Sequence, residues 1–404
     1  MGSDNGRVSY VLVIVAPGQG AQTPGFLKPW LEDPAFAARL HWLSTVAGLD
    51  LAHYGTEADA ETIRDTQIAQ PLLVATALVS ALHLFPHPGD AFQRIGAVAG
   101  HSVGEIAAAA GARAITAEQA MVLVRERGKA MAQAAAVTPT GMTAVLGGDR
   151  EEVLAAIAAN GLTAANDNGP GQIVAAGTME QLAAFADAPP AKARLRPLSV
   201  AGAFHTQHMA PAVSHLQQLA AAVTTHDART RVISNRDGQV VHEGRDVLRR
   251  IVGQISSPVR WDLCMETMSD LGVTGILEMP PAGTLTGIAK RALKGVETFS
   301  FNGPDQIDDA RAFIDKHGEP AGLDLTPTWR VVVSPAKGTF RIGAEVADAE
   351  VVAPGTSIGE VASTRDKVSV EALHGGQVVE WLVEDGDLVS PGQPLLRLYP
   401  EGSL

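Results

Sequence analysis

The stretch Gly100-His101-Ser102-Val103-Gly104 constrains this chain more than any other. It follows a short apolar run, Ile95 to Ala99, and opens an alanine-rich segment, Glu105 to Ala110. Strand, sharp turn and helix, with a serine at the turn, is the context of a G-x-S-x-G nucleophile elbow. A turn this tight crowds backbone against backbone, and glycine, lacking a Cβ, relieves the clash. The serine hydroxyl then stands at the positive end of a helix, where backbone N–H groups can stabilise a developing oxyanion.

The chain has 404 residues, 46% of them hydrophobic and 19% charged. That suffices for a large core and for two or three domains. No continuous apolar run reaches the roughly 18 residues of a membrane span. Residues 1–10 are polar and lack the basic-then-apolar order of a signal peptide. The single cysteine, Cys264, rules out an internal disulfide and a cysteine metal cluster, and reads as a small core residue. A cytoplasmic protein that takes no metal is expected. The formal net charge of −13 argues against nonspecific nucleic-acid binding, so an anionic partner needs a local basic patch.

Along the chain, residues 1–10 read as a leader. Val11 to Ala16 has the continuous apolar pattern of a buried parallel strand. It runs into Pro17-Gly18-Gln19-Gly20-Ala21-Gln22. A dinucleotide fingerprint fails there, because position 23 is Thr23 and no acidic residue closes a second strand at the right distance. Ala69-Gln70-Pro71 starts an apolar helix to Leu84, and Ala117 to Ala136 reads as a long helix carrying Arg125, Arg127 and Lys129. An arginine on a helix is ordinarily a solvated face, so Arg127 needs outside support to count as functional. Residues 137–200 carry a βαββαβ rhythm, a split βαβ or ferredoxin-like unit inserted into the larger domain. His205, in Ala201-Gly202-Ala203-Phe204-His205, is the best base for Ser102 and follows it in α/β-hydrolase order. No Asp or Glu stands out as a triad acid; a Ser–His dyad oriented by a carbonyl or amide is the more economical arrangement. The expected architecture is an α/β-hydrolase-like core (11–136 and 201–301), the insert (137–200), a linker (302–328) and an all-β domain (329–404).

That last segment repeats. Val352-Ala353-Pro354-Gly355 matches Val389-Ser390-Pro391-Gly392, and Gly338 and Asp348 match Gly375 and Asp385, all at one offset of 37. Two similar halves imply a pseudo-twofold flattened barrel, with residues 362–367 as an exposed hairpin between them. The segment resembles the biotinyl/lipoyl carrier domains, whose cofactor lysine sits on that hairpin. Asp366-Lys367-Val368 carries part of the likeness, but the Ala-Met-Lys-Met tetrapeptide is missing and the family spacing puts Arg365 at the modified position. Lys367 is thus a possible carrier lysine, and an unmodified docking or structural module, without biotin or lipoate, is the preferred reading.

Residues 1–300 resemble the malonyl-CoA:acyl-carrier-protein transacylases of actinobacterial fatty-acid synthesis. The motifs are Pro17-Gly18-Gln19-Gly20-Ala21-Gln22, Gly100-His101-Ser102-Val103-Gly104-Glu105, Arg127-Gly128 and Gly202-Ala203-Phe204-His205. The resemblance implies Ser102 as nucleophile and His205 as base. It implies an oxyanion hole from the N–H groups of Gln19 and Val103, and the Gln254 carbonyl orienting His205. Arg127 would pair with the malonyl carboxylate, and Gln70 and Asn168 would line the pocket. Phe204 would crowd a branched C2, favouring malonyl over methylmalonyl. The implied partners are a CoA thioester and acyl-carrier protein, with no cofactor, nucleic acid or membrane; nothing requires more than a monomer. Lys192, Arg194 and Arg196, with Lys290, Arg291 and Lys294, are the basic clusters available to anionic partners. Three other readings stay open: the same chemistry acting in trans on a polyketide synthase, a serine esterase or thioesterase, and a non-enzymatic scaffold for carrier proteins.

Overall fold

The computed structural model describes residues 11–400 apart from 87, 201, 319–329, 345, 348, 350, 364 and 365. The leader expected at 1–10 and residues 319–328 of the expected linker therefore lie outside the described residues. The chain divides into two units, 1–321 and 322–404.

In the first unit, six strands form the main sheet in the order Glu297–Ser300, Gly275–Glu278, Leu12–Ala16, Ile95–Gly100, Arg231–Ile233 and Val240–Val241. Neighbours run parallel except for the last pair. The two central strands read LVIVA and IGAVAG, apolar throughout, as strands covered on both faces must be. Val13 and Val15 join one core cluster while Leu12 and Ala16 join the other. The parallel register puts the C-terminal ends of Leu12–Ala16 and Ile95–Gly100 side by side, with Ala16 opposite Gly100.

The helix Thr66–Leu84 begins three residues before the expected start at Ala69, because the Asp65 side chain caps it by accepting from the Gln67 N–H. It is 19 residues long and apolar enough to cross a membrane, yet it is the core helix of this unit, packed between Ala117–Ala135, Gly104–Gly111 and Pro34–Ala47.

A second sheet has the order Ala193–Pro197, Thr140–Gly147, Gln172–Thr178, Thr163–Asp167 and Val259–Arg260. The first four strands are antiparallel neighbours, and with the helices Arg150–Ala159 and Met179–Asp187 they give the element order of a split βαβ unit. The fifth strand departs from the expected boundary of 137–200. Val259–Arg260 pairs parallel to Thr163–Asp167 and covers an edge that would otherwise stand open.

The expected linker also needs correcting. Ile307–His317 is a helix of the first unit; Ala310 and Ile314 are buried, and His317 packs against Gly275 so closely that a Cβ there would lie 2.4 Å from its ring. Residues 302–317 thus belong to the first unit, with one helix face packed on it.

The second unit is all-β and has two four-stranded sheets. One runs Arg330–Val333, Pro394–Pro400, Gly376–Trp381, Val351–Val352; the other Lys367–Ala372, Thr356–Ala362, Gly338–Ile342, Leu388–Val389. Every pairing is antiparallel. Each sheet takes two strands from each half of the sequence repeat, and residues of both sheets share one apolar cluster around Phe340, Ile358 and Leu396. Lys367 pairs with Ala362 at the start of its strand, and its ammonium meets Glu360 at 2.7 Å. It therefore sits in the strand, with the hairpin tip at 364–365 outside the described residues.

Candidate active site

Three glycines let the chain close around Ser102. A Cβ on Gly100 would lie 1.9 Å from the Gly104 carbonyl carbon, and one on Gly104 would lie 2.3 Å from the Ala16 oxygen. A Cβ on Gly18 would lie 2.9 Å from the His101 oxygen. The first permits the strand–turn–helix reversal; the other two let the helix start and the loop after Leu12–Ala16 press together. The His101 N–H also donates to the Ala16 carbonyl at 3.0 Å. Ser102 itself is held at φ 54°, in the left-handed region that side chains avoid.

A buried relay fixes that conformation. The Ser102 N–H donates to Asn235 Oδ1 at 2.7 Å, and Asn235 Nδ2 donates to the Gly100 carbonyl at 2.7 Å. The Asn235 N–H donates to Glu105 Oε1 at 2.7 Å. Burial raises the Glu105 carboxyl to about 8, although the Asn235 N–H pulls it down, so Glu105 is neutral at pH 7.

The Ser102 hydroxyl meets His205 Nε2 at 2.8 Å, and His205 Nδ1 meets the Gln254 carbonyl at 3.0 Å. A carbonyl only accepts, so Nδ1 carries the proton and Nε2 is free to take the one on Ser102. Burial lowers His205 to about 3, and the neighbouring Arg127 charge adds to that shift. The imidazole is a neutral acceptor throughout the physiological range. His205 also has a positive φ, 61°, held by its N–H donating to the Ile255 carbonyl at 3.2 Å.

Arg127 lies under this pair, 1% exposed. Its Nη2 donates to Ser102 Oγ at 3.2 Å and to Gln254 Oε1 at 3.4 Å, and its Nη1 donates to Gln70 Oε1 at 2.7 Å. Burial lowers it to about 10, so it stays charged at pH 7. Among the described residues, no carboxylate forms an ion pair with it. The nearby Glu105 is neutral. A buried cation without a counterion is costly, and an arriving carboxylate removes that cost.

Five of the residues singled out in the sequence therefore converge: Ser102, His205, Arg127, Gln70 and Gln254; Phe204, next in the chain to His205, is buried. The N–H groups of Gln19 and Val103 donate to no protein acceptor among the described residues. The Gln19 side chain is tied back, donating to the Arg64 carbonyl at 3.1 Å and Thr66 Oγ1 at 3.3 Å. Asn168 Oδ1 meets His101 Nε2 at 2.8 Å, a contact that steadies the elbow. Asn235 was missed in the sequence. The available signal was its place just after an apolar strand, where α/β sheets gather their functional side chains.

The family described as "Acyl transferase domain" matches residues 13–313. A malonyl CoA-acyl carrier protein transacylase of Mycobacterium tuberculosis is 48% identical over 299 residues, 74% of this chain and 99% of the relative. One from Mycolicibacterium smegmatis is 50% identical over 286 residues, 70% of this chain and 98% of the relative. Among solved structures, MCAT from Mycobacterium tuberculosis superposes with a TM-score of 0.72, covering 75% of this chain and all of the other. A malonyl-transacylase bound to a type II polyketide-synthase acyl-carrier protein superposes with a TM-score of 0.69 at 27% identity, covering 75% of this chain and 99% of the other. Through residues 13–313, this chain belongs to the malonyl CoA-acyl carrier protein transacylase family of acyl transferases.

Proposed function

We infer that this chain moves a malonyl group from CoA to the phosphopantetheine thiol of acyl-carrier protein, using Ser102 as the intermediate carrier. The observation that carries the reading is Arg127, a buried charged guanidinium 3.2 Å from the serine oxygen that has no ion-pair partner among the described residues. An esterase for neutral acyl groups has no use for it, and a scaffold has no use for the Ser102–His205 pair.

In the first half-reaction Ser102 Oγ attacks the thioester carbonyl as His205 Nε2 takes its proton. The Gln19 and Val103 N–H groups receive the oxyanion. The C–S bond then breaks, and CoA leaves with the proton from His205. In the second half, the carrier thiol gives its proton to His205 and attacks the malonyl-serine ester; the C–O bond breaks, and Ser102 Oγ leaves with that proton from His205 Nε2. No cofactor is needed, because no electrons change hands. Arg127 binds the free carboxylate with two N–H donors, while the oxygens of Gln70 and Gln254 hold its plane. An acetyl group forgoes that contact, at a cost of roughly 1.5–3 kcal/mol. Phe204 disfavours a methyl at C2.

The carrier docks on the exposed basic residues. Arg291 Nη2 donates to Gln172 Oε1 at 3.0 Å, and Leu146 pairs with both Gln172 and Arg194. The two basic clusters thus meet within about two strand spacings, roughly 10 Å. The complex of a relative with a polyketide-synthase carrier favours a second reading, a trans-acting role, which competition between the two kinds of carrier for malonate decides. We place the protein in the cytoplasm. We read the second unit as a flattened barrel of the biotinyl/lipoyl type serving as an unmodified module; the exchange of strands between its sheets supports this, as does the Lys367–Glu360 pair.

Intact-mass measurement after mixing with malonyl-CoA tests the central claim. A malonyl adduct is expected in the wild type and none in Ser102→Ala; an adduct unaffected by that change refutes it. Arg127→Ala is expected to lower kcat/KM for malonyl-CoA by about 10- to 150-fold while sparing acetyl-CoA.

A further inference from the structure

The first unit holds a cavity of about 740 Å³ that none of Ser102, His205 and Arg127 lines. Folded interiors leave few voids larger than a water molecule, and this volume matches sites that enclose a small organic molecule. Sequence explains the space. Ala77 and Ala81 on Thr66–Leu84 and Ala107 and Ala110 on Gly104–Gly111 all line it, with Ile95 and Val98 from the sheet. Alanines on these helices leave room that larger side chains would fill.

Charge is confined to a few lining residues. Arg39 and Arg113 both line the cavity, both are exposed, and among the described residues neither is in an ion pair. Glu118 lines it too as an anion, accepting from Trp42 Nε1 at 3.2 Å, so the two arginines still leave the lining net positive; His226 is the remaining titratable group. In a chain of net charge −13, two unpaired arginines beside an apolar cavity run against the overall charge. Arg113 is also strained, at φ 65°. It stands just past the end of Gly104–Gly111, where the Ala114 N–H donates to the Ala109 carbonyl at 2.9 Å and where glycine is the favoured residue. An arginine kept at a glycine position is an outlier that asks for a function.

We propose that this cavity binds a long-chain fatty carboxylate, its tail among the alanines and its head on Arg39 and Arg113. An unbranched tail fits an irregular apolar space, and the arginine forks match a carboxylate.

The experiment is calorimetric titration of delipidated full-length protein with palmitate, and with hexadecanol as the chain without a charge. Saturable one-to-one palmitate binding is expected, with hexadecanol at least tenfold weaker. The double change Arg39→Glu and Arg113→Glu should weaken palmitate about tenfold or more and leave hexadecanol unchanged. Ala81→Trp should weaken both, with malonyl transfer retained as evidence of folding. Should Ala81→Trp fail to fold, the exposed arginine pair keeps the test decisive. Absence of saturable palmitate binding, equal affinity for the alcohol, or affinity indifferent to the arginine changes overturns the proposal.

Discussion

Ser102 and His205 both hold backbone conformations that side chains avoid, with φ of 54° and 61°. Such conformations cost of order 1–3 kcal/mol each and persist only where surrounding contacts impose them. Here those contacts are Asn235 Oδ1 on the Ser102 N–H and the Ile255 carbonyl on the His205 N–H. Ser102→Ala and Ser102→Gly both remove the hydroxyl, so their difference reports the strain alone. Ser102→Gly should be the more stable by about 1 kcal/mol in urea denaturation, and both should be inactive. His205 yields a second prediction. It is neutral down to about pH 3, so kcat/KM for malonyl-CoA should hold its plateau well below the ordinary histidine value of 6.5. The same shift affects folding. Below pH 6.5 the unfolded histidine takes a proton that the folded one refuses, so its contribution to stability is present above 6.5 and lost as pH falls towards 3. An acid limb near pH 6.5, measured with the carrier saturating, would contradict the assignment of His205 as base. At this scale Ser102 and His205 were readable from their motifs. Asn235 was not, because its partners lie 130 and 133 residues away in sequence.

Among elements, the turn between Ile95–Gly100 and Gly104–Gly111 was the most legible. Apolar run, glycine-flanked serine and alanine-rich helix each state a local preference, and all agree. Its dependence on Gly104 was not legible, because the clash involves a neighbouring strand. Gly104→Ala puts a Cβ 2.3 Å from the Ala16 carbonyl oxygen, which is backbone and has no rotamer to yield. The change should lower stability by about 3 kcal/mol, read as a reduced urea midpoint, and abolish transfer. A midpoint close to wild type would mean that the sheet gives way more easily than this packing implies. Thr66–Leu84 shows the opposite limit of sequence reading. Its composition alone suits a membrane as well as a protein core, and only the helices packed around it decide between them. The edge strand Val259–Arg260 is too short to announce itself, and exists because Thr163–Asp167 offers it a partner.

For the whole molecule, every residue assigned to acyl transfer lies in the first unit, and the family match ends at residue 313. Deletion of residues 329–404 should therefore leave kcat/KM for malonyl transfer within about twofold of the full chain, since the deleted part supplies none of the residues assigned to acyl transfer. A larger loss would give the second unit a direct part in catalysis. The sequence alone was enough to recognise a serine elbow, a downstream histidine, an inserted βαββαβ unit and a repeated β segment. These are local or periodic features, set by backbone sterics and by the spacing of apolar residues. Tertiary structure alone decided that Ile307–His317 packs into the first unit, that Asn168 meets His101, and that Glu105 is neutral. It also left Arg127 buried beside Ser102 with no counterion among the described residues. Burial and electrostatic environment arise from residues far apart in the chain, so they come into being only when the chain has folded.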